Sequence, residues 1–141
     1  MQPVPDYVRD LRAEARAREL LRETAGEDAF AMYAQLGFVA LDTDDEGYGY
    51  LIYPHRPIVA FDTESGELLS EYCVRFPDGS NPSAGEWLPD ADDVLAKWIA
   101  LRADERLLIE TANMHLPGRQ HDPGMLRRDV AKLSEWRAVH V

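Results

Sequence analysis

Residues 48–62 read YGYLIYPHRPIVAFD: two short aromatic and β-branched runs broken by a His-Arg pair between prolines. Tyr, Ile, Val and Phe suit a pleated, half-buried surface, and a proline-bounded break between two such runs marks a turn. YGYLIYP (48–54) and PIVAFD (57–62) are therefore expected to be consecutive antiparallel strands. Side chains alternate along a strand, so Tyr48, Tyr50 and Ile52 share one face and Gly49, Leu51 and Tyr53 the other. Both faces are partly apolar, which predicts helices over all of one and part of the other.

The pattern extends in both directions. FVALD (38–42) lies upstream across the turn-like DDEG, and ELLSEYCVRF (67–76) lies downstream across TESG. Four such runs at this spacing predict an antiparallel meander over residues 37–76. Helical spacing precedes it. Pro5 and Asp6 suit a first helical turn, and Val8, Leu11, Ala15, Leu20 and Leu21 make an imperfect apolar stripe up to about Glu23. After Ala25-Gly26, residues 27–36 carry Phe30, Tyr33 and Leu36 on one side, and Gly37 falls where a left-handed cap is needed.

Beyond the meander, PDGSNPSAGEWLP (77–89) reads as a loop pinned to the core by Trp87 and Leu88. Asp90 is placed to cap a helix to about Arg102 with Val94, Leu95, Trp98 and Ile99 inward, and Asp104 to cap another with Leu108, Ile109 and Ala112 inward. PGRQHDPG (117–124) breaks the run, and Asp122-Pro123 opens a last helix bearing Leu126, Val130, Leu133 and Trp136. The expected fold is one α+β domain over 1–141. It has a helical part (1–36), a four-stranded antiparallel meander (37–76), a loop (77–89) and a helical part (90–141), with two N-terminal and three C-terminal helices.

A chain of 141 residues buries about two thirds of its unfolded surface, enough for an ordinary core. Cys73 is the one cysteine, so no intramolecular disulfide forms, and neither a signal peptide nor a membrane-length apolar run is visible. The expected location is the cytoplasm. The net charge is −11, and residues 25–90 carry Arg56 and Arg75 against thirteen acids. Such a field repels nucleic acid and anionic lipid and attracts basic protein surfaces.

The motifs for chemistry are incomplete. Asp42, Asp44, Glu46 and Gly47 stand where a calcium loop begins, but its twelfth position, which needs a bidentate Glu, is Tyr53. The stretch reads instead as a hairpin turn in which Gly47 supplies a positive φ. His115 and His121 lie six residues apart across a Pro-Gly break, not a zinc-ligand spacing on one helix face. No serine sits in a Gly-x-Ser-x-Gly elbow, and no glycine-rich loop leads into Lys-Ser/Thr. Asp90, Asp93, Asp104 and Glu105 are accounted for by helix N-termini. No catalytic residue, metal ligand or cofactor is assigned.

Several short cues recur in order: YAQLGF (33–38), YGYLIYP (48–54), EYCVRFP (71–77), LPDADDVLA (88–96) and LRADERLLIETAN (101–113). On these, residues 33–116 resemble a group of small α+β proteins from bacteria, phages and other mobile elements. The resemblance implies the fold class and carries no activity with it. It implies caps and core for Leu88, Pro89, Asp90, Leu95, Asp104, Glu105 and Asn113. The first hairpin turn of that group is usually basic, whereas here it is DDEG, which argues against nucleic-acid contact at that point.

The expected function is a non-enzymatic, acidic interaction protein, of phage or mobile-element origin, that binds a basic surface of a protein partner such as a nucleic-acid enzyme and acts as its inhibitor. Asp44, Asp45 and Glu46 would steer the encounter, and Tyr48 and Trp87 would anchor it. No direct nucleic-acid or membrane contact is expected, and self-association is left open. The alternatives are a small metal-dependent hydrolase or nucleotide-binding enzyme, using acids of 90–110 with His115 or His121, and a structural particle subunit.

Overall fold

The computed structural model describes residues 6–42, 46–74, 88–112 and 121–140. Two helices, α1 (Asp6–Ala25) and α2 (Glu27–Leu36), precede four strands, β1 (Val39–Asp42), β2 (Tyr48–Ile52), β3 (Ile58–Asp62) and β4 (Leu68–Tyr72). Three helices follow: α3 (Asp90–Ala103), α4 (Glu105–Thr111) and α5 (Pro123–Val139). The strands form one antiparallel sheet in the order β1-β2-β3-β4, the meander expected from the spacing of the apolar runs. The molecule is thus α+β, with two helices before the sheet and three after it. None of the described helices is long and apolar enough to cross a membrane.

Register follows from burial on both faces. Val39 pairs with Ile52, Tyr50 with Ala60 and Ile58 with Tyr72, so these residues line one face. Ala40 pairs with Leu51 and Leu51 with Val59 on the other. A one-residue slip would exchange the two sets, and neither covering layer would then fit. A bulge between Ala60 and Phe61 lets Leu68 and Glu71 share the second face, while Leu69 is left exposed.

The first face packs against Ala17 and Leu21 of α1, Ala29 and Tyr33 of α2, Val94, Leu95 and Leu101 of α3, and Leu108 of α4. The second packs Phe38, Ala40, Leu51, Tyr53, Val59, Phe61 and Leu68 against Leu126 and Leu133 of α5, with Val130 and Trp136 at its margin. Helices therefore cover both faces, more heavily on the first.

The termini of these elements match the sequence cues in most places. Gly37 and Gly47 adopt φ of 83° and 76°, values that other residues enter at a steric cost. Asp104 caps α4 through Leu107 N at 3.0 Å, and Asp122 caps α5 through Gly124 N at 3.0 Å with Pro123 following. Asp90 is instead the first residue of α3, after Pro89, whose side chain offers no cap. Glu14 of α1 supplies the missing acceptor: its Oε1 takes the Ala91 N–H at 3.0 Å.

The apolar stripes are narrower than the sequence suggests. Leu11 and Leu20 of α1 and Ile99 of α3 are exposed, and Lys97 is buried in α3 with 2% of its surface accessible. A lysine occupies this position because its three donors all find acceptors, as described next.

Candidate functional site

The alternation of β2 places Tyr48 and Tyr50 side by side on the first face, with ring centroids 5.7 Å apart and planes at 83°. Tyr50 also meets Tyr72 of β4 edge-on at 6.4 Å, and the Ser70 hydroxyl donates to the Tyr72 oxygen at 2.8 Å. Across from this row, the Asp104 cap fixes the first turn of α4 and presents Glu105 to it. Both phenols donate to one carboxylate oxygen, Glu105 Oε1, Tyr48 at 2.7 Å and Tyr50 at 2.5 Å.

Tyr48 bonds Glu46 as well. A phenol has one proton, so Tyr48 cannot donate to Glu46 and Glu105 together. The two carboxylates, first Glu46 and then Glu105, push the Tyr48 phenol far above its ordinary pKa. Burial, followed by Glu105, does the same to Tyr50. Among the described residues, both shifts come from carboxylates, neighbouring phenols and burial. Two other raised phenols differ in this respect: Arg18 opposes the shift at Tyr33, and Arg56 opposes it at Tyr53.

A second polar group joins the β2–β3 turn to α3. Lys97 Nζ donates to Asp93 Oδ2 at 2.6 Å, to the Arg56 carbonyl at 2.8 Å and to the Tyr53 carbonyl at 3.0 Å. Asp93 Oδ2 also accepts the His55 N–H at 2.7 Å, which holds His55 at a φ of 56°. The His55 ring lies between carboxylates, with Nε2 3.1 Å from Asp90 Oδ1 and Nδ1 3.9 Å from Asp93 Oδ1. All three protons of the ammonium are satisfied, so Lys97 is a fastener and not an available nucleophile.

On the second face, the Tyr53 hydroxyl donates to Asp129 Oδ2 of α5 at 2.6 Å, and its ring lies 5.0 Å from that of His121. The His121 N–H donates to Glu71 Oε1 at 2.7 Å. His121 and Glu105 thus lie on opposite sides of the sheet, and the hydrolase arrangement does not pair these two. Among the described residues, no three His, Cys, Asp or Glu side chains gather as metal ligands.

Of the residues singled out from sequence, Glu46 is exposed beside Gly47, and Tyr48 is half-buried and tied to Glu105. Asp44, Asp45 and Trp87 lie outside the described residues, as do His115 and Asn113. Cys73 is half-buried just beyond β4. Sequence alone reads Glu105 as an acid of a helix N-terminus and does not single out Lys97. Nothing local to Glu105 points to tyrosines 55 and 57 positions away. Lys97 did carry a signal, since it falls on the Val94–Leu101 side of α3 with Asp93 one turn earlier.

The chain matches no family model, no curated protein and no solved structure. Function therefore rests on the residues themselves.

Proposed function

We propose that this chain is a non-enzymatic interaction protein that receives a basic surface of a protein partner at the corner formed by Glu46, Tyr48 and Glu105. One observation carries the reading: two carboxylates converge on a single phenol proton, and among the described residues no lysine or arginine stands out as opposing their effect on it. A guanidinium or ammonium from a partner would supply the missing donors. It would bond both carboxylates and lie against the Tyr48 ring, combining charge-assisted hydrogen bonds with a cation–π contact. The acidic turn containing Asp44 and Asp45 would extend the field that guides such a partner, and Trp87 remains the proposed apolar anchor. Partners with basic clefts, nucleic-acid enzymes among them, fit this chemistry, and occupying such a cleft would inhibit them. A phage or mobile-element origin is part of the same proposal.

The test is affinity capture from bacterial lysate at low salt, followed by titration of the purified partner. The native chain, Glu46→Lys and Glu105→Gln are compared. Charge reversal at Glu46 is expected to weaken binding about tenfold or more at low salt, with the difference shrinking as salt rises. Equal affinity of all three proteins, or affinity indifferent to salt, would overturn the reading.

A further inference from the structure

We draw no further inference here: the strongest candidate, the buried His121 imidazole between β4 and the start of α5, has an Nε2 without a hydrogen-bond partner, but no three metal-ligating side chains gather among the described residues and nothing in the structure shows what ligand would meet it.

Discussion

The two faces of the sheet solve the same packing problem with different polar chemistry. Each buries an apolar centre and ends in tyrosine hydroxyls bonded to helical carboxylates: Tyr48 and Tyr50 to Glu105 on one side, Tyr53 to Asp129 on the other. On the second face positive charge accompanies these contacts. Arg56 acts on Tyr53, and Arg137 makes a two-pronged contact with Asp42 at 2.6 and 2.8 Å. On the first face Tyr33 donates to Glu14 with Arg18 beside it, but among the described residues no lysine or arginine stands out as opposing Glu46 and Glu105 at Tyr48. A helix that is a permanent part of the fold is fastened by balanced pairs. A carboxylate pair left unbalanced at a half-exposed corner is where an outside cation gains most.

The most severe way to disturb this arrangement is to cut the fastener between strands and helices. Lys97→Ala leaves Asp93 buried beside two backbone carbonyls that have lost their donor, and it is expected to cost about 3–5 kcal/mol in chemical denaturation. Replacing both partners, Lys97→Met with Asp93→Leu, removes the stranded charge and should recover much of the Lys97→Ala loss. The His55 N–H loses its acceptor in that double variant, so recovery is not complete. If the double variant is as unstable as Lys97→Ala alone, the ion pair is not what gives Lys97 its importance.

Next in size is a test of whether α5 is as integral as the helices on the first face. Leu126 is fully buried against the second face, so Leu126→Ala should cost about 2–5 kcal/mol, the range for truncating a leucine in a close-packed core. Leu21→Ala in α1 samples the first face from an equally buried site. Comparable losses in a single cooperative transition would make the two layers equivalent in weight. A loss well under 1 kcal/mol at Leu126 would make α5 an accessory cover and would upset the contrast drawn above.

A smaller effect separates two neighbouring acids near the start of α3 by sign. Burial pushes the Glu14 carboxyl up, but the Ala91 N–H, the Tyr33 hydroxyl and Arg18 outweigh it and hold its pKa below the ordinary value. The folded state then binds fewer protons than the unfolded chain. Its contribution is therefore full above the unfolded pKa of about 4.3 and is lost as pH falls through the folded value. Asp92 is the reverse case: burial, then the charge of Glu14, hold its pKa above the ordinary value. Its ionised form costs stability at neutral pH, and protonation relieves that cost as pH falls. At pH 7, Glu14→Gln should lose about 1 kcal/mol after allowance for solvent screening, while Asp92→Asn should gain stability. Because Glu14 is part of what disfavours ionised Asp92, the gain should shrink when Glu14 is already Gln. Denaturation curves from pH 7 to acid check all three, since both differences should fade once the carboxyls are protonated.

The fold was legible because alternation and turn chemistry in residues 48–62 agree with each other and with the runs on either side. A strand set that is apolar on both faces and flanked by capped helical stripes leaves few other arrangements. Caps were readable where the side chain acts on its own helix, as at Asp104 and Asp122. They were not readable where another element supplies the acceptor, as Glu14 does for α3, because that contact spans 77 positions. The burial of Lys97 was visible in principle, since charge alone does not exclude a residue whose donors can all be met. The candidate site was legible by half. Glu46 and Tyr48 stand out in an acidic turn leading into an aromatic strand, whereas Glu105 looks like any acid in a first helical turn. Long-range polar pairing leaves no periodic trace, and so sequence alone assigned Glu105 to the helix and not to the tyrosines.

The smallest stability effect is the most informative about function. Tyr53→Phe removes a donor from a buried contact with Asp129 and should cost about 1 kcal/mol. At the other corner, Glu105→Gln keeps an oxygen that accepts from Tyr48 and Tyr50 and removes one of the two charges competing for the Tyr48 proton. Its stability should stay within about 0.5 kcal/mol of the native chain or rise slightly. Binding should nonetheless weaken, because the charge that was removed is the one a partner's guanidinium would neutralise. A residue kept for packing loses stability and function together, while one kept for recognition loses function alone. A large stability loss at Glu105→Gln with unchanged binding would return Glu105 to the architecture and leave Glu46 as the sole described acid at the proposed interface.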